Sequence, residues 1–112
     1  MSASAFARTP EPPYYAIIFS SHRTSSENGY GQMAERMVEL ASQQPGFLGV
    51  ESVRDLDGFD ITVSYWVSEE AIAKWKANVE HIAAQEAGKR VWYEHYELRV
   101  AKVERAYSKP SA

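Results

Sequence analysis

At 112 residues, with 45% hydrophobic and 24% charged side chains, the chain is long enough for one domain with a modest core. Its net charge of -3 is spread along the chain, without the basic cluster nucleic acid requires, and no apolar run reaches the ~20 residues of a membrane span. Cysteine is absent, which excludes disulfides, thiol catalysis and cysteine metal sites together. Residues 1–13, MSASAFARTPEPP, lack the apolar core of a signal peptide and read as a flexible N-terminal lead, since Pro10, Pro12 and Pro13 resist helix. A cytoplasmic protein is the expectation.

YYAIIFS (14–20), apolar and rich in aromatic and β-branched residues, predicts a first strand, and SHRTSSENG (21–29) a polar loop. From Tyr30 to Gln44 the period becomes helical: Tyr30, Met33, Ala34, Met37, Val38 and Ala41 fall on one stripe, and Pro45-Gly46 ends it. FLGVESVRD (47–55) resumes as a strand, Asp57-Gly58 supplies a turn, and FDITVSYWV (59–67) returns as the hairpin partner. Phe59, Ile61, Val63, Tyr65 and Val67 share one face of that strand. Asp60, Thr62, Ser64 and Trp66 share the other, a small polar face that ends in an indole. Ser68 is a helix N-cap, with Glu69 and Glu70 at the positive end of the helix dipole. This second helix should reach about Ala87, with Ile72, Trp75, Val79, Ile82 and Glu86 on its inward stripe. Residues 91–107 alternate as a final strand. Strands usually run to about 5–6 residues, so part of this one is expected to pair outside its own subunit. Residues 108–112 form a tail.

The order strand, helix, strand, strand, helix, strand gives an α+β fold: a ferredoxin-like βαββαβ antiparallel sheet with two helices on one face. The other face is apolar enough to require cover, so a homodimer is expected.

PGFLGVES (45–52), SYWVSEEAIAKWKANVEH (64–81) and RVWYEHYELRVAKVER (90–105) resemble the antibiotic biosynthesis monooxygenase (ABM) domain, over residues 14–107. The resemblance implies a dimeric α+β barrel, in which two sheets close against each other. Haem-degrading members of that family carry an Asn on the first strand, a helix Trp, and a His ten positions later as iron ligand. Trp75 matches the tryptophan, but Gln85 stands at the ligand position and YYAIIFS has no Asn. An amide is a poor iron ligand, which argues against haem chemistry. The cofactor-independent monooxygenase branch places a Trp near the strand end, where Trp66 fits, beside an Asn-type group and a basic residue. Here Thr62 and Ser64 share the Trp66 face and no Asn is present.

The function implied is cofactor-independent oxidation of a small aromatic compound (phenolic, anthrone or quinol-like) by O2. The alternative is a non-catalytic, small-ligand-binding or structural dimer of the same fold. Oxidation without a cofactor needs a dry site, a base of near-neutral pKa and donors for an oxyanion. Only His22, His81 and His95 have an ordinary pKa suited to the base, and His81 lies beside the inward stripe. The candidate catalytic residues are therefore His81, Trp66 and Arg90, the latter two as donors. Candidate substrate-binding residues are Thr62, Ser64, Trp66, Trp75, Val79, Ile82 and Trp92. Core packing is the plainer role for Trp75, and cross-strand charge pairing for His95. With no HExxH and no clustered ligand spacing, no metal or other cofactor is expected.

Overall fold

A computed structural model of the chain describes residues 5–23, 30–85 and 93–110. The elements are β1 (Tyr14–Arg23), α1 (Tyr30–Ser42), β2 (Phe47–Arg54), β3 (Phe59–Trp66), α2 (Glu69–Gln85) and β4 (Tyr93–Val103). The four strands form one antiparallel sheet in the order β2-β3-β1-β4. That is the expected ferredoxin-like βαββαβ arrangement. Both helices contribute to one core, Ala41 from α1 and Ala71, Ile72 and Trp75 from α2, packed on Ile17 and Trp66 of the sheet.

Local chemistry explains the joints. At the end of α1 the Gln43 and Gln44 amides donate to Leu40 and Ala41 carbonyls, a tightened last turn, and Gly46 follows at φ 89°. The Ser68 hydroxyl accepts the Ala71 amide at 3.1 Å, the N-cap bond expected for α2. Between β2 and β3 the Asp55 carboxylate accepts the Asp57 and Phe59 amides, and Gly58 takes φ 95°.

Two strand boundaries differ from the sequence reading. β1 continues through Ser21, His22 and Arg23, because Ser21 pairs with Asp60 on one side and with Tyr96 on the other. Polar composition marked these residues as loop, and backbone pairing overrides it; residues 24–29 lie outside the described set. β4 ends at Val103 rather than 107, and residues 91–92 are outside the described set. Its length does not call for a second subunit: β4 pairs with β1 from Val103 opposite Tyr14 to Tyr93 opposite Arg23.

The register divides the sheet into two faces. Tyr15, Ile17, Phe19 and Ser21 of β1 lie beside Trp66, Ser64, Thr62 and Asp60 of β3, on the helix side. Tyr14, Ala16, Ile18, Ser20 and His22 lie beside the odd-numbered residues of β3 on the outer side.

Candidate functional site

At the β3 C-terminus, alternation turns Trp66 toward the helices, and two helical turns of α2 bring Trp75 over it. The indoles stack with centroids 6.0 Å apart and planes 24° from parallel, and Phe47 meets Trp66 edge-on at 5.4 Å. Trp66 is fully buried and Trp75 nearly so. These two rings fill the space between β3 and α2 with each other. The Trp66 Nε1–H donates to Ser64 Oγ at 2.9 Å, so the buried indole donor is satisfied within its own strand. The Ser64 hydroxyl, which serves as acceptor there, keeps its own proton to donate.

Along the same face away from the tryptophans the chemistry becomes polar. Thr62 is half-buried, and beyond it Asp60 is 5% exposed and Ser21 1%. The Asp60 Oδ2 stands 3.1 Å from Arg23 Nε and 3.9 Å from Arg54 Nε. Arg54 is the register partner of Asp60 across the β2–β3 hairpin, while Arg23 reaches it from β1. The Ser21 hydroxyl has no hydrogen-bond partner, an arrangement that costs about 1–3 kcal/mol for a buried hydroxyl. On the β1–β4 side of the same face, Phe19 and Tyr96 contact at 5.4 Å, and Leu98, opposite Phe19, is 48% exposed. The helix-facing surface thus runs from a solid aromatic end, through hydroxyls and a half-open apolar floor, to an ionic end.

The outer face holds a separate cluster. The Tyr65 hydroxyl donates to Glu51 Oε1 at 2.7 Å, and the Ala7 amide donates to Glu51 Oε2 at 2.9 Å. Burial, then the Glu51 hydrogen bond and charge, push the Tyr65 phenol up to about 12. Ala7 lies so close to Gly49 that a Cβ there would sit 2.8 Å from the Ala7 Cβ. The segment before β1 is therefore laid against this face. His95, also on it, has Nε2 2.8 Å from Glu97 Oε2, and both side chains are exposed.

Of the residues singled out from sequence, Trp66, Trp75, Ser64 and Thr62 come together on the helix side, and Val79 packs against the same core. His81 and Ile82 lie in the last turns of α2 with side chains outside the described set, and Arg90 and Trp92 are outside it entirely. Sequence reasoning passed over Ser21 and Arg54; it placed Asp60 on the Trp66 face without a role, and Arg23 in a polar loop able to meet an acidic ligand. A signal was available for the Asp60–Arg54 pair alone: alternation puts Asp60 on the Trp66 face, and the Asp57-Gly58 hairpin sets it opposite Arg54.

Comparison with known proteins agrees with this architecture. The family model described as antibiotic biosynthesis monooxygenase matches residues 13–87. The chain belongs to the ABM family. It is similar to the uncharacterized protein YqjZ of Bacillus subtilis, 63% identical over 99 residues, covering 88% of this chain and 87% of that one. It is 28% identical over 94 residues to the jasmonate monooxygenase ABM of Pyricularia oryzae, covering 80% of this chain but 43% of that protein. Among solved structures, a variant of SnoaB, a cofactor-independent oxygenase from Streptomyces nogalater, superposes with TM-score 0.69 at 14% identity, covering 86% of this chain and 98% of that one. At that identity the likeness establishes the shared ABM fold. Among the described residues no helix is long and apolar enough to cross a membrane.

Proposed function

We propose that this ABM-family chain is a cofactor-independent monooxygenase of a small aromatic compound (phenolic, anthrone or quinol-like), using O2 and working as a cytoplasmic homodimer. The observation that carries the reading is the juxtaposition on the helix-facing surface: half-exposed Leu98 beside Phe19, next to the Thr62 and Ser64 hydroxyls and the buried indoles. The family assignment and the fold shared with a cofactor-independent oxygenase support it. The ligand lies beside the tryptophan pair, not between the rings, over Thr62 and Ser64.

In this reading the protein's task is proton removal and charge stabilisation. An activated CH2 of the anthrone type loses a proton to His81, and the resulting anion is electron-rich enough to reduce O2. Overall, the CH2 and O2 become a carbonyl and water. The oxyanion formed on deprotonation accepts the Ser64 hydroxyl proton, and Trp66 Nε1–H, already bonded to Ser64 Oγ, strengthens that donor through the chain of bonds. Arg90 supplies a further donor.

Oxygen uptake over a panel of anthrones and naphthols tests this, with consumption above buffer expected for at least one member and S64A slowing it. Rates equal to buffer across the panel refute it. One observation favours a second reading, a ligand-binding dimer without turnover: the Trp66 donor is already spent inside the chain. Saturable thermal stabilisation by a panel member without oxygen consumption is the result that reading requires.

A further inference from the structure

We propose that the end of the sheet at β4 is a self-association edge, on which a second copy of this chain adds its own β4 antiparallel about a two-fold axis through Leu98. This contact is separate from the homodimer of the proposed function, which covers the outer face of the sheet, and does not rest on it.

The sheet order β2-β3-β1-β4 leaves β4 with β1 on one side and, among the described residues, no strand on the other. Natural edge strands are blunted by shortness, prolines or bulges, because an exposed ladder of backbone donors and acceptors invites another strand. β4 has 11 residues and no proline. Its register with β1 is regular from Val103 opposite Tyr14 to His95 opposite His22, and shifts only beyond that end. On the helix side it carries Tyr96, Leu98 and Val100, which are 56%, 48% and 49% exposed. On the outer side it carries His95, Glu97, Arg99 and Ala101, all exposed.

The order of these residues selects the partner. A two-fold axis normal to the sheet keeps helix side with helix side, so facing residues are an even number of positions apart and one residue lies on the axis. With Leu98 there, Glu97 meets Arg99 of the second copy, and symmetry repeats the pair. Tyr96 then meets Val100 of the second copy, and His95 meets Ala101. Opposite charges, and aromatic against β-branched residues, are the favourable cross-strand combinations. Moving the axis by one residue sets Glu97 against Glu97 or Arg99 against Arg99. Glu97 also meets His95 within its own chain, at 2.8 Å through Oε2, and a carboxylate has two oxygens with which to meet both cations. The strand is thus complementary to itself in charge and in apolar character. The pairing also brings together the two Leu98 side chains, each part of the half-open floor beside Phe19.

A single strand edge covers well under the ~800 Å² per partner of a stable interface, so the contact should fill at about 0.1–1 mM.

Sedimentation equilibrium of the full chain, from about 10 µM to 1 mM, tests it. The average mass should rise over that range, and less so with added salt. E97R and R99E each turn both ionic pairs into like-charge pairs, and each should weaken the association about ten-fold or more. Mixed together, these two variants restore opposite charges at both positions and should associate where neither does alone. The double variant E97R/R99E should associate with itself as the parent does. Both side chains are exposed, so circular dichroism should not change, and the double variant carries the test even where one single reversal fails to fold. A mass independent of concentration, an association indifferent to either reversal, or a mixture no more associated than its parts overturns the inference. A chain paired at micromolar concentration that shows no further rise keeps the homodimer and loses the edge. One that is single at micromolar concentration and then rises keeps the edge and loses the homodimer.

Discussion

Replacing Trp66 tests the centre of the fold. The side chain is fully buried, stacked on Trp75, edge-on to Phe47, and bonded through Nε1–H to Ser64 Oγ. Core Trp→Ala substitutions cost about 3–5 kcal/mol, and because this indole packs on two other rings W66A belongs at the upper end. At roughly 4 °C per kcal/mol for a domain of this size, Tm should fall by about 15–20 °C. W66F keeps one ring in place but removes the bond to Ser64 and leaves a partial void, so it should cost about 1–2 kcal/mol. Thermal and urea melts followed by far-UV circular dichroism measure both. A double-mutant cycle of W66F with W75F isolates the stacking, for which a coupling of about 0.5–1.5 kcal/mol is expected. W66A within about 1 kcal/mol of the parent, or a cycle closing at zero, would refute the packing described (ordinary surface substitutions stay within about 0.5 kcal/mol).

S68A should lower stability by about 1 kcal/mol, since it removes the acceptor for the Ala71 amide at the start of α2; an unchanged urea midpoint contradicts the cap. G46A and G58A both force an alanine to positive φ, but a Cβ at Gly46 would lie 2.7 Å from Ala71 Cβ, whereas at Gly58 nothing is nearer than 3.7 Å. G46A should therefore be the worse by about 1–3 kcal/mol, the usual cost of overpacking, and equal losses would deny the close approach. The Tyr65 phenol, raised from 10.0 to about 12, is more protonated in the folded than in the unfolded chain at high pH. Its contribution to stability is whole below pH 10 and lost as pH rises toward 12. In a 295 nm absorbance titration Y65F should lack the ionisation near pH 12 and E51Q should bring it earlier; a profile indifferent to E51Q removes Glu51 as a cause.

The two kinds of apolar period made the element order and the faces of β3 legible. Alternation in FDITVSYW separates Trp66 from Tyr65, and the structure sends the first to the helices and the second to the outer face. Ser68 was legible because an N-cap is a local device whose partner, Ala71, lies three residues on. The ionic end was not, because its burial is tertiary. Ser21, His22 and Arg23 look like loop by composition, and only pairing with β3 and β4 makes them strand. Arg23 and Asp60 are 37 positions apart, and nothing near either announces the other. The same holds for the segment before β1. Its prolines correctly exclude helix, but its attachment through Glu51 depends on a carboxylate 44 positions from Ala7. Short-range chemistry can be read from the chain; a polar contact between distant segments needs the fold first.

The outer face is where the proposed dimer can be put at risk without disturbing the single subunit. Ala7 already covers Gly49, near the Tyr14–Tyr65 ring contact. Toward the other end of β2 and β3, Val53 is 65% exposed and Phe59 43%, and Val53 is in register with Ile61 on this face. A second copy closing over that uncovered half would bury Val53. V53E then places an uncompensated carboxylate in the interface, which costs several kcal/mol in the dimer while an exposed edge-strand position tolerates it in one chain, roughly within 0.5 kcal/mol. Light scattering should show twice the chain mass for the parent and a single-chain mass for V53E at micromolar concentration, with the same circular dichroism spectrum. A parent that is a single chain refutes the dimer itself. A V53E protein that stays paired moves the interface off this half of the sheet, because no partner could lie over position 53 and leave that charge unopposed.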